Sequence, residues 1–162
     1  MGKGQNAERL KAIFYKAYSS ANLAQATRVL INELFKDDGL VIIDGDHAHL
    51  KKSFADIMTK DIQDHSFYPL IASQSEKISE NYKVQAYVRK CNFFHLDKGS
   101  RKIVLDRLDA KVIDSNPEKF SPNVLLRPLY QEMILPNLAN IGGGAELSYW
   151  MQLKTAFESE HI

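Results

Sequence analysis

The chain has 162 residues, with 21 Lys and Arg against 20 Asp and Glu and a formal net charge of +1. Hydrophobic residues make up 44% of it, and it has one cysteine. This composition is typical of a globular domain and excludes a disordered chain, a disulfide framework and a Cys-rich zinc site. The charge argues against nucleic-acid binding driven by bulk electrostatics. No apolar run reaches the roughly 18 residues that span a bilayer, and the polar start is unlike a signal peptide, so we expect a cytoplasmic protein without membrane partners.

The first forty residues predict two helices. Apolar residues recur at helical spacing over residues 7–18 and again over 23–35. Asn22 is placed to cap the second helix, and Gly39 can end it in the left-handed conformation.

The periodicity changes after Gly39. The continuous apolar run Leu40–Ile43 predicts a strand buried on both faces, as in a parallel sheet. Helical spacing returns over residues 49–64. The order helix, strand, helix favours an α/β layer architecture.

The middle of the chain predicts antiparallel structure. Residues 83–89 alternate as a half-exposed strand does, residues 92–96 and 102–105 flank a turn at 97–99, and residues 110–114 favour a further short strand. We therefore predict three parts. They are helices plus a core strand over 1–82, an antiparallel insertion over 83–115, and the remainder of the core over 116–162.

The last part contains two helix signals. Pro128 can start a helix but cannot lie deep inside one. Residues 138–141 predict a short strand, and Gly142-Gly143-Gly144 then opens a helical run over 145–158.

The segment Asp44-Gly45-Asp46-His47-Ala48-His49 allows two interpretations. Two carboxylates and two imidazoles could hold a divalent metal, as in a small metallohydrolase. Alternatively the segment is a turn in which Asp46 caps a helix and both histidines face solvent. Because no further ligands complete a coordination shell, we predict no metal. Carboxylates beyond the end of a buried parallel strand would still lie where open α/β sheets bind ligands.

Two further features are candidates for anion binding. The glycine turn offers helix-start N–H groups to a phosphate or carboxylate, or is only a structural turn, since the G-x-G-x-x-G spacing and a Walker lysine are missing. Arg127 lies in an apolar run. It could bind a carboxylate or phosphate bidentately, or pair with Asp44 or Glu132.

Two other residue types favour structural interpretations. Cys91 could be a nucleophile, but no His–Asp arrangement is visible around it in the sequence. It is best explained as a small buried hydrophobic residue. Trp150, with Tyr149 and Leu153, is expected to pack in the core.

Several segments in order carry a family resemblance, and together they cover most of the chain. They are Gly39–Asp46, Asn92–Leu96, Phe120–Glu132 with Leu135-Pro136, and Ile141–Glu146 continuing to Tyr149-Trp150. This series resembles the cysteine-adding ligase family of bacillithiol biosynthesis, BshC. The block Ser-Pro-Asn-Val with Arg-Pro-Leu-Tyr-Gln is its most specific part.

The resemblance implies an α/β fold with a partial Rossmann-like core, similar to class I aminoacyl-tRNA synthetases, and a small antiparallel β insertion. It implies a ligase that joins cysteine to glucosaminyl-malate, with ATP activating the carboxylate, in a homodimer. We then expect the chain to be a central piece of a longer protein, without the N-terminal nucleotide-binding segment and the C-terminal coiled coil. Whether this piece catalyses a reaction stays open, and a non-catalytic α/β binding or assembly module is the alternative.

The candidate site follows from residue chemistry at the motif positions. Arg127 and the Gly142-Gly143 turn would hold anionic groups of substrate or nucleotide, and Asp44 and Asp46 would orient amine or hydroxyl groups. Neutral hydrogen bonds would come from Ser121, Asn123 and Gln131, and Glu146 completes the predicted set. No catalytic acid or base is assigned.

Overall fold

A computed structural model describes residues 4–135 and 137–162. The first three residues of the polar start and Pro136 of the Leu135-Pro136 motif lie outside this range. By its internal contacts the chain forms one unit up to Gly45 and a second from Asp46 onward. The part boundaries at residues 82 and 115 remain predictions.

The first unit contains the two predicted helices, α1 (Gln5–Tyr18) and α2 (Leu23–Phe35). The Asn22 side chain accepts a hydrogen bond from the Gln25 backbone N–H at 2.9 Å, which confirms the predicted cap. Gly39 has φ 71°, a left-handed conformation that glycine adopts without steric cost. The helices pack on each other and are linked by the Lys16–Glu33 ion pair.

The predicted strand Leu40–Ile43 is wrong. The segment is irregular, and the side chains of Leu40, Val41 and Ile43 are exposed. A strand needs a neighbour to complete its ladder of hydrogen bonds, and no strand in the described part of the chain pairs with this segment. An apolar run does not reveal whether such a neighbour exists.

The second unit begins with three helices, α3 (Ala48–Lys52), α4 (Ala55–Asp64) and α5 (Phe67–Ser79). The single helix predicted over 49–64 is thus interrupted at Ser53-Phe54. The predicted cap at Asp46 is also wrong, because the His47 imidazole accepts the N–H of His49 instead.

A three-stranded antiparallel sheet follows, built from β1 (Phe93–Asp97), β2 (Ser100–Ile103) and β3 (Phe120–Pro122) in the order β2-β1-β3. The predicted hairpin is confirmed. Its turn contains Lys98 and Gly99, both with positive φ. Phe94 lies opposite Ile103 on one side and Ser121 on the other.

The other three predicted strands are wrong. Residues 83–89 keep their alternating burial, but a side chain and not a neighbouring strand bonds their backbone. Gln152 bonds both the N–H and the C=O of Ala86. Residues 110–114 belong to a helix, α6 (Ala110–Ser115), because Asp109 caps it through the N–H of Lys111. Residues 138–141 are irregular, with Leu138 and Ile141 fully exposed.

The C-terminal part contains α7 (Arg127–Ile134), α8 (Gly144–Trp150) and α9 (Lys154–Ser159), with a 3-10 turn at Met151–Leu153 between the last two. Pro128 lies in the first turn of α7, as predicted. The core of the second unit is apolar and draws on α4, α5, α7, α9 and the sheet, through residues such as Phe54, Ile62, Phe67, Phe93, Phe120, Leu126 and Ala156. The fold is therefore of mixed α/β class with a small antiparallel sheet, as predicted. Within residues 4–135 and 137–162, no helix has both the length and the apolar character to cross a membrane.

Candidate functional site

Polar residues of α7, of the loop before the glycine turn and of α8 lie near one another in the second unit. Arg127 and Gln131 lie four residues apart on α7, and therefore on the same face. The Gln131 side-chain amide donates to Asn140 Oδ1 at 3.3 Å, which connects α7 to the loop leading to the glycine turn. Glu146 and Tyr149 extend the surface on α8. We call this set, Arg127, Gln131, Asn140, Gly142, Glu146 and Tyr149, the Arg127 surface.

Charge is unevenly distributed on the Arg127 surface. Arg127 is exposed, and no ion pair joins it to Glu132 or to another carboxylate that the structure describes in the second unit. Burial, and next the Glu146 carboxylate, raise the pKa of the Tyr149 hydroxyl, whereas the nearby Arg127 charge opposes this rise. An exposed guanidinium can donate two parallel hydrogen bonds to a carboxylate or phosphate.

The glycine turn has one tight position. A Cβ at Gly142 would lie 3.1 Å from Glu146 Oε2, so the missing side chain lets Glu146 fold back over the turn. Gly143 precedes α8 and its N–H groups without a side-chain cap. Because α8 has only seven residues, its start contributes less to anion binding than Arg127 does.

Ser121 and Asn123 lie at the base of this surface. Ser121 is half-buried in β3, opposite Phe94. Asn123 Oδ1 accepts the N–H groups of Leu125 and Leu126 at 2.9 and 3.2 Å, and its Nδ2 donates to Asn92 Oδ1 at 2.9 Å. The Asn123 side chain therefore shapes the loop before α7.

A buried carboxylate lies beneath Asn123. Asp61 on α4 is fully buried and accepts hydrogen bonds from the backbone N–H and the side-chain amide of Asn92. Burial raises the pKa of Asp61 to about 6, and the Asn92 hydrogen bonds oppose this rise. The ionised form is thus costly to bury but well supplied with donors.

Cys91 is buried beside Asp61, as predicted. Burial, and next the neighbouring Asp61 charge, raise the pKa of its thiol to about 12. Since the thiolate is the reactive form, this environment does not suit a nucleophile.

The two predicted carboxylates before α3 have basic neighbours. Asp44 lies in the first unit, with its Oδ2 3.8 Å from Arg28 Nη2. Asp46 lies in the second unit and pairs at 2.8 Å with the Nζ of Lys51, a lysine that is almost fully buried. Lys51 also donates to the Glu118 carbonyl at 3.1 Å. Asp46 therefore neutralises a buried cation, and in the described residues no three His, Cys, Asp or Glu side chains converge on a metal site.

Trp150 is partly buried, and its ring packs 5.7 Å from that of Phe157, whereas Leu153 is fully buried. The predicted core packing of this segment is confirmed for Leu153 and holds in part for Trp150. Trp150, Asn140 and Glu132 line a shallow depression next to the Arg127 surface.

Sequence reasoning missed Asp61, Asn92 and Asn140. Asp61 carries a detectable signal, because it falls on the apolar face of its helix, four residues after Ile57 and three after Met58. Asn92 belongs to the segment Asn92–Leu96 that carries part of the family resemblance, but only the fold shows that it bonds Asn123. No sequence signal singles out Asn140.

Comparison with known proteins identifies the family of the chain. The family model "Bacillithiol biosynthesis BshC, N-terminal Rossmann-like domain" matches residues 1–162. This model describes the N-terminal domain of the family, and the expectation that the chain is a central piece of a longer protein stays a prediction.

Full-length relatives are similar over the whole chain. Proteins named "Putative cysteine ligase BshC" from Flavobacterium johnsoniae and Flavobacterium psychrophilum are 38% and 41% identical over 100% of the chain and 34% of their own length. A protein of the same name from Staphylococcus aureus is 30% identical over 81% of the chain and 28% of its own length. The chain thus spans about a third of the length of the relatives it matches.

Proposed function

Because the chain belongs to the BshC family of bacillithiol biosynthesis, we propose that its Arg127 surface binds an anionic substrate group in a cysteine ligase. The reaction would join cysteine to glucosaminyl-malate with ATP as the activating nucleotide, in the cytoplasm. The exposed guanidinium of Arg127, without an ion pair in the described chain, is the observation that carries this proposal.

The neighbouring residues support this assignment by their chemistry. Gln131 and the backbone at Gly142-Gly143 offer neutral donors near Arg127, while Glu146 offers a carboxylate to an amine or hydroxyl group. Within the second unit, Asp46 and Ser121 would offer further polar contacts to substrate. Asp44, in the first unit, is a separate candidate. Asn123 would shape the surface, because its side chain is hydrogen-bonded within the chain.

The test is Arg127→Ala, measured in the chain and in a full-length family member. A hydrogen bond to a charged group contributes about 1.5–3 kcal/mol, so we expect ATP or glucosaminyl-malate to bind roughly 10-fold to 100-fold more weakly in calorimetric titration. Arg127→Lys should recover only part of the loss, because lysine lacks the planar pair of donors. Cysteine-dependent product formation should fall in parallel in the full-length enzyme.

Arg107→Ala is the matched control, since Arg107 is also exposed and lies outside the Arg127 surface. Equal affinity in wild type and Arg127→Ala would contradict the proposal. If the chain binds none of ATP, ADP, cysteine and glucosaminyl-malate, the alternative of a non-catalytic binding or assembly module is favoured instead.

A further inference from the structure

Three polar residues from distant parts of the chain form one line of hydrogen bonds, in which Asp61 and Asn92 are buried and Asn123 is half-buried. Asp61 on α4 accepts from Asn92, just before β1, and Asn92 bonds Asn123, just after β3. The second contact is double, because the Asn123 N–H also donates to the Asn92 carbonyl at 2.8 Å. Asp61 and Asn92 are 0% and 1% exposed, so water cannot substitute for these bonds at low cost.

The line continues from Asn123 into the first turn of α7. Asn123 Oδ1 accepts the N–H groups of Leu125 and Leu126, and its carbonyl accepts the N–H of Arg127 at 3.0 Å. The backbone N–H groups of residues 125–127, which open α7, therefore all donate to Asn123. Asn123 therefore organises the polar side of this turn, while the buried Leu125, Leu126 and Leu129 hold its apolar side in the core.

The Arg127 side chain has little else to hold it. It is exposed and forms no ion pair within the described residues. The point from which it reaches a ligand is therefore set by the backbone at the start of α7. A binding group needs to be held to within about 0.5 Å of its productive geometry.

We propose that Asp61 and Asn92 are positioning residues for Arg127, which act through Asn123 and never touch the ligand. This inference rests on the proposed function, since it concerns the same anion-binding residue. It assigns to this polar line a role in ligand affinity that is separate from its contribution to stability.

A double-mutant cycle tests the inference, with ATP as the probe in calorimetric titrations of the chain. Asn92→Ala should weaken ATP binding about 10-fold in the wild-type background and leave it unchanged in the Arg127→Ala background, because the effect passes through Arg127. Ile71→Val, a core change on α5 away from the line, is the stability control. It lowers the free energy of unfolding but should not change affinity at a temperature where every variant is folded.

A second measurement needs no ligand. In hydrogen exchange, Asn92→Ala should speed the exchange of the Leu125, Leu126 and Arg127 amides, whereas Ile71→Val should not. If Asn92→Ala does not fold, Asp61→Asn serves in both experiments. It keeps the side-chain volume, but its amide NH2 replaces one carboxylate oxygen and faces an N–H donor of Asn92.

The outcomes separate the two proposals. If Arg127→Ala leaves ATP affinity unchanged, the proposed function fails. If Arg127→Ala weakens binding but Asn92→Ala does not, or does so equally in both backgrounds, the positioning inference fails while the proposed function stands. Unchanged exchange at residues 125–127 also overturns the inference.

Discussion

The buried carboxylate of Asp61 should make the stability of the chain depend on pH in an unusual direction. Its pKa is about 6 in the folded chain against an ordinary value of 3.8. Between these values the folded chain keeps the proton that the unfolded chain has released, so the free energy of unfolding falls as pH rises through this range. One pKa unit corresponds to about 1.4 kcal/mol, and the shift therefore corresponds to about 3 kcal/mol between pH 4 and 7.

The perturbation that isolates this contribution is Asp61→Asn, which removes the titration but keeps the volume. Urea unfolding at pH 4, 5, 6 and 7 gives the free energy of unfolding of both proteins. We expect the advantage of wild type over Asp61→Asn to shrink by up to about 3 kcal/mol from the lowest to the highest pH. The matched control is Asp56→Asn on the same helix, whose side chain is exposed.

A constant difference between wild type and Asp61→Asn across this pH range would refute the reasoning. It would mean that the hydrogen bonds from Asn92 stabilise the ionised carboxylate enough to cancel its desolvation. A difference that grows with pH would mean that the Asn92 hydrogen bonds stabilise the ionised carboxylate by more than its desolvation costs.

Three further predictions concern single side chains. Cys91 should react with a thiol reagent only as fast as the chain opens, and at once in urea, since its thiol is buried with a pKa of about 12; rapid labelling of the folded chain would contradict this. Gln152→Leu should lower the free energy of unfolding by about 2–4 kcal/mol in urea titrations, because it leaves the N–H and C=O of Ala86 without hydrogen-bond partners. Gln85→Leu, at an exposed position, should change it little. Equal effects of the two substitutions would disprove the bridging role of Gln152. Gly142→Ala should shift the thermal midpoint only slightly, since the flexible end of Glu146 can move aside, and a large loss of stability would show that this contact is rigid.

Helices were largely predictable because their signals are local. The cap from Asn22 to Gln25, the left-handed Gly39 and the first-turn Pro128 all act within a few residues of the position they decide. The hairpin after β1 is local in the same way. Where two local signals compete, as in residues 110–114, the cap from Asp109 outweighs the apolar strand-like composition.

The candidate site residues were chosen by their chemistry, and only the structure gives their geometry. Arg127 and the glycine turn stood out by residue type, and the structure brings them together with Gln131 and Glu146. Asp46 was predicted to orient substrate groups or to cap a helix, and the structure pairs it with the buried Lys51, a contact that the sequence did not indicate.

The sequence by itself therefore determined most of the helices, the hairpin and the family. Only the tertiary structure decided that Leu40–Ile43 finds no strand partner among the described residues, that Gln152 takes the place of a strand beside Ala86, and that Asp61 is joined to Asn123 through Asn92. The physical reason is distance along the chain. Helix hydrogen bonds join residues four apart, whereas Asp61 and Asn92, and again Asn92 and Asn123, are 31 residues apart and meet only in the folded chain.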